Sequence, residues 1–151
     1  MGYRGENSCI CEPGQAGQLP GLAGPVQWLL NTLSEWAKNE QLGSPVVIST
    51  CRSAGKQAEM RARYDRGDRT GLAYRPADPK NSRHVPDETG VCWAFDLGNS
   101  DQWLRQAGAF VQTRAVTVAV PGARGGGVWL PPDLNHFEII GMRTAASIRL
   151  T

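Results

Sequence analysis

Val26, Leu29, Leu30, Leu33 and Trp36 recur at steps of three and four residues, and this stripe constrains the fold more than any other feature. Apolar side chains at that period line one face of a helix, so the segment needs a second layer to bury that face. Pro25 stands in the first turn, where its missing N–H costs nothing, and Gly43 is the expected stop. The other apolar runs are short. Residues 45–51, 92–97, 115–120 and 136–140 are rich in β-branched or aromatic residues and read as strands. Residues 54–66, stopped by Gly67, read as a second helix. A third carries Trp103, Leu104, Ala107, Phe110 and Val111, with Asn99 and Ser100 available as caps. With no repeat and no linker, the expectation is a single α+β domain over 25–151, a small antiparallel sheet with helices packed on it. Residues 1–24 read as an irregular lead-in, 68–81 as a long loop of the kind that often carries function, and 121–127 as a turn or flexible loop.

A hydrophobic fraction of 40% with five Trp suffices for one core. Trp28, Trp36, Trp103 and Phe110 are assigned to it. A net charge of +2, with the densest basic stretch (Arg61–Arg69) interrupted by Asp65 and Asp68, argues against a nucleic-acid partner. No apolar signal-like segment follows Met1, and no stretch approaches the ~18 apolar residues of a membrane helix. The expectation is therefore a monomer made and folded in a cytoplasm, with no membrane insertion, reaching any extracellular target by lysis or by carriage on a particle. Cys9 and Cys11 form C-x-C, which lacks the usual zinc spacing. Cys51 and Cys92 read as small buried residues, a disulfide being disfavoured in a cytosolic product.

The chain has two histidines, His84 and His136, and each lies near carboxylates: Asp96 follows His84, while Asp133 and Glu138 flank His136. Two imidazoles and one carboxylate make a ligand set for catalytic zinc, leaving a position for water. Such an ion lowers the pKa of its water to about 7, and a further carboxylate must then move the proton. His136 and Glu138 share a face if the segment is a strand. On these residues alone, two surface histidines among ordinary surface acids remain an equal reading.

The order of the pieces adds to this. Ser82-Arg-His84, then Ala94-Phe-Asp96, then Asp133-Leu-Asn-His136-Phe-Glu138 resembles the zinc peptidase family of D-alanyl-D-alanine carboxypeptidases and phage L-alanyl-D-glutamate endopeptidases. Upstream, Ser49-Thr-Cys-Arg52-Ser53, with Gln57 beyond it, resembles the family's S-x-Y-R-S-x-x-x-Q segment, and Gly126-Gly-Val-Trp129 is similar to the stretch before its last motif. The likeness runs from about Ser49 to Ile140, and the combination is far more specific than any one piece. It implies a fold of the Hedgehog and DD-peptidase type, with Zn2+ held by His84, Asp96 and His136. It implies Asp133 as general base and acid, and Arg52 as the donor to the developing oxyanion. Ser82, Gln57, Glu138 and Trp129 would support the site or contact substrate, Glu138 by orienting a ligand. The implied substrate is a peptidoglycan stem peptide, cut in the manner of a single-domain or virion-borne endolysin.

Three features depart from the family pattern. Eleven residues separate His84 from Asp96 (96 − 84 − 1 = 11), about twice the family's spacer, and the excess could bring Asp87 or Glu88 to the metal. Cys51 stands where the family has an aromatic and Cys92 where it has glycine; a thiol beside zinc would be a strong competing ligand. Two other classes of function fit parts of the pattern: a metal-binding module of the same fold without catalysis, and a structural phage tail component.

Overall fold

The computed structural model describes residues 9–11, 19–72, 74–128 and 132–140. In chain order its elements are β1 (Cys9–Ile10), α1 (Gly24–Asn39), β2 (Val46–Ser49), α2 (Ala54–Asp65), β3 (Ala94–Leu97), α3 (Asp101–Val111), α4 (Arg114–Ala119), β4 (Ala123–Gly125) and β5 (His136–Ile139). A 3-10 turn, Gly126–Val128, follows β4. The strands form one antiparallel sheet in the order β1-β2-β3-β5-β4. The fold is α+β, as expected.

The apolar stripe of α1 is buried: Val26, Leu29, Leu30, Leu33 and Ala37 lie in the core. Trp36 packs at its edge, stacked on Phe110 (centroids 5.3 Å apart) and edge-on to Trp103 (5.6 Å). Trp28 is 39% exposed and is not a core residue. The helix stops at Asn39, short of Gly43, because the left-handed turn is made by Gln41 (φ 58°). Ser53 caps α2 by accepting from Lys56 N, and Ser100 caps α3 by accepting from Trp103 N. Asn99 does not cap; its side chain accepts from Val46 N and donates to Ser44 O, pinning the start of β2.

The structure corrects four further expectations. Residues 115–120, expected as a strand, lie in α4 and its C-cap; β-branching is only a weak preference, and packing overrode it. Residues 123–125, expected as loop, form edge strand β4 against β5. The lead-in is not wholly irregular: β1 pairs with β2, and Leu19, Leu22 and Ala23 join the core. Cys51 and Cys92 are not thiols but a disulfide, with Cα atoms 5.4 Å apart across 41 residues. The expectation weighed compartment alone, whereas pairing of β2 with β3 brings the two positions together.

The sheet also separates core from site. On β3, Phe95 and Leu97 are buried in the core while Asp96 alternates to the other face. On β5, Phe137 and Ile139 do the same while His136 and Glu138 alternate away. Phe95 and Phe137 stack at 5.5 Å. Among the described residues no helix is long and apolar enough to cross a membrane.

Candidate metal centre

Strand register assembles the site. Asp96 pairs with Ser49 on one side and His136 on the other, and Glu138 pairs with Arg124. Side chains of directly opposed residues stand about 5 Å apart, so the order β2-β3-β5-β4 lays two polar rows across one face. His84 comes from outside the sheet, on the segment between α2 and β3. It is bound there by Arg52 N donating to its carbonyl (2.8 Å) and by Ser82, whose hydroxyl accepts from His84 N (3.3 Å).

The three predicted ligands converge. His84 Nε2 lies 3.2 Å from Asp96 Oδ1 and 3.3 Å from His136 Nδ1, and His136 Nδ1 lies 3.2 Å from Asp96 Oδ1. A tetrahedral ion with bonds of 2.0–2.1 Å separates its ligand atoms by about 3.3 Å, so the donor triangle has the dimensions such an ion requires. The far nitrogen of each ring is already committed. His84 Nδ1 donates to Thr50 O (2.6 Å), and His136 Nε2 donates to Glu138 Oε1 (2.6 Å). Each ring therefore turns its other nitrogen toward the centre of the triangle, where it can carry a proton or, once deprotonated, ligate an ion. Both imidazoles are buried, and Asp96 is partly so. This group could hold a metal ion.

The electrostatics of the cluster favour a proton on the His136 nitrogen that faces Asp96. Burial works against charge on His136, but its hydrogen bonds to Asp96 and Glu138 outweigh it and push the imidazole up to about 9. Asp96 is likewise held far below the carboxylate range, burial being overcome by the two histidines. Glu138 is lowered too, despite burial, by His136 and by Arg124, whose Nε and Nη2 donate to Glu138 Oε2 at 3.1 and 2.9 Å. Asp133 moves the other way: burial, then the neighbouring charge of Asp96, raises it.

The remaining predicted residues surround a cleft of about 1080 Å³ whose lining includes Arg52, Gln57, Ser82, Asp133, Glu138 and the three ligands. Arg52 lies 3.8 Å from Asp96. It donates through Nη1 to Gln57 Oε1 (2.8 Å) and through Nη2 to Ser49 Oγ (2.9 Å), and Gln57 Nε2 donates to Ala77 O (2.8 Å). Gln57 thus braces Arg52 against the long loop. Asp133 is half-buried in the turn entering β5, where Asp133 N donates to Gly126 O (2.9 Å) and Asp133 O accepts from His136 N (3.2 Å). Trp129 lies outside the described residues.

Asp87 does not reach the metal centre. Its Oδ1 accepts from Thr89 N and Oγ1, and its Oδ2 from Trp93 Nε1 (2.7 Å), so it builds the turn that absorbs the longer spacer. Glu88 is exposed. Sequence reasoning missed Thr50, whose contribution is a backbone carbonyl with no side-chain signal, and Arg124, which becomes visible only through the β4–β5 register. It also missed Tyr74, whose hydroxyl donates to Pro132 O beside Asp133. No family model and no curated protein matches the chain.

Proposed function

We propose that this chain is a zinc-dependent peptidase of the Hedgehog and DD-peptidase type that cleaves peptidoglycan stem peptides, as an endolysin does. One observation carries the reading. Three ligand atoms lie at tetrahedral edge distances, each imidazole held by an acceptor at its far nitrogen, at the wall of a cleft that also holds a raised carboxylate and a braced guanidinium.

His84, Asp96 and His136 would hold the ion, and the donor set of two nitrogens and one oxygen suits zinc. Bound there, zinc would supply an acidified water and a Lewis acid for a peptide carbonyl. Asp133 accepts the proton of the attacking water and delivers it to the departing amine, a role that suits a carboxylate raised by burial. Arg52 commits two of its five N–H donors to Ser49 and Gln57. That bracing aims the guanidinium, and the remaining donors can meet the developing oxyanion. Glu138 and Thr50 O keep both rings turned inward throughout.

The test is incubation with purified peptidoglycan, with and without chelator, followed by mass analysis of the released fragments. Chelator-sensitive release of stem peptides is expected, and fragment masses separate L-alanyl-D-glutamate from D-alanyl-D-alanine cleavage. Asp133→Ala should abolish release with metal content unchanged. A metal-loaded wild type inert on every wall type would leave the non-catalytic module as the surviving reading.

A further inference from the structure

The two cysteines that depart from the family motifs are bonded to each other, and they sit beside the contacts that hold the first metal ligand. The β2–β3 ladder ends at the Ser49–Asp96 pair. Beyond it the segment 83–84 lies between the two chains. His84 donates to Thr50 O and accepts from Arg52 N, while Trp93 N donates to Arg83 O (2.8 Å). Cys51 is the residue between Thr50 and Arg52; Cys92 immediately precedes Trp93. The disulfide spans the gap that the ladder leaves open, joining covalently the two chains that grip His84. The surroundings are fitted to it. Cys92 exchanges backbone hydrogen bonds with Gly21 and Ala23, and a Cβ on Gly21 (φ +71°) would lie 3.0 Å from Cys51 Sγ.

We infer that the Cys51–Cys92 bond is a positioning element of the metal centre, and that metal retention by this protein is therefore redox-dependent. In a thiol-rich medium a small thiol attacks the half-buried Cys51 sulfur rather than the fully buried Cys92, forming a mixed disulfide and expelling the Cys92 thiolate. A second thiol then releases Cys51 and leaves as a small-molecule disulfide. Two electrons and two protons have passed to the protein, and exchange with a small-molecule disulfide reverses the step. Once the bond is open, the two chains gripping His84 can part, and the Thr50 O contact that fixes its tautomer weakens. Loss of such an orienting contact costs roughly 10–100-fold in metal affinity. The site would be held loose in a reducing compartment and tight outside one, which for the proposed wall peptidase restrains activity until release.

The inference rests on the metal centre and not on peptidase activity, so cobalt(II) binding tests it without any wall substrate. The full chain purified in air should yield a cross-linked Cys51–Cys92 peptide on digestion without reductant. It should bind one cobalt(II) with the intense visible absorption of a tetrahedral site. After reduction and anaerobic removal of the thiol, cobalt affinity should fall roughly 10–100-fold with the far-ultraviolet circular dichroism preserved. A Cys51→Ser/Cys92→Ser double variant, which leaves the other disulfide-bonded cysteine, Cys11, untouched, should show the same loss of cobalt affinity without any thiol. Absence of the cross-link, or equal cobalt affinity before and after reduction, overturns the inference. So does global unfolding of the Cys51→Ser/Cys92→Ser variant, since the bond would then hold the fold rather than the centre. No cobalt binding by the oxidised protein would overturn the metal centre itself, a different failure.

Discussion

Glu138 is a buried carboxylate caught between a guanidinium and an imidazole, and its hydrogen bonds define what His136 can do. Oε1 takes the Nε2 proton of His136, and Oε2 takes both donors from Arg124. A neutral replacement of equal size keeps the shape and removes the charge. Glu138→Gln is expected to weaken metal binding by roughly 10–100-fold while leaving the strand intact. Competition against a chromophoric chelator measures the first, and circular dichroism the second. Unchanged affinity would mean that ring orientation is fixed by packing alone. The ligands themselves could be proposed from the residue order, because the nearness of His to carboxylate survives in one dimension. Arg124 and Thr50 could not, since one acts through cross-strand register and the other through a carbonyl every residue has.

At the scale of elements, the site depends on how closely β4's exit approaches the turn into β5. A Cβ built on Gly126 would lie 2.0 Å from Asp133 O, far inside contact distance, so no side chain fits without moving the backbone that presents Asp133. For the proposed peptidase, Gly126→Ala is therefore expected to lower turnover by roughly tenfold or more, as displacement of a positioned catalytic group does, with metal content close to that of the wild type; hydrolysis rate and metal analysis read the two separately. Equal turnover would show that the turn absorbs the shift. The glycine run was legible as a flexible loop, but its use in a strand and a tight crossing was not. Similarly the longer spacer was visible by counting, while its resolution into a turn built on Asp87 required the contacts to Thr89 and Trp93. The strand expected over 115–120 became a helix because a six-residue propensity signal is small beside the packing of Val116 and Val120 into the core.

For the whole molecule, a metal ion at this centre would join parts of the chain that are far apart in sequence, so binding and folding should be coupled. An ion present at about 1,000 times its dissociation constant stabilises the folded state by about 4 kcal/mol. In a chain of this length each kcal/mol shifts Tm by roughly 2–4 °C. Chelator is expected to lower Tm by on the order of 10 °C, and His84→Ala or His136→Ala should show no such response; scanning calorimetry with and without chelator decides. A wild-type Tm indifferent to chelator would contradict metal binding at this centre.

The amino-acid order alone determined the α1 stripe, the strand runs at β2, β3 and β5, and which side chains could meet a cation, because periodicity and side-chain chemistry are local properties. It also determined that Asp96 and Phe95, or His136 and Phe137, must face opposite ways, since alternation along a strand needs no partner. Only the tertiary structure decided that Asp96 lies opposite His136, that Arg124 backs Glu138, and that Cys51 meets Cys92. Those are matters of strand order and register, set by how distant segments bury their apolar faces together, and no local pattern encodes them.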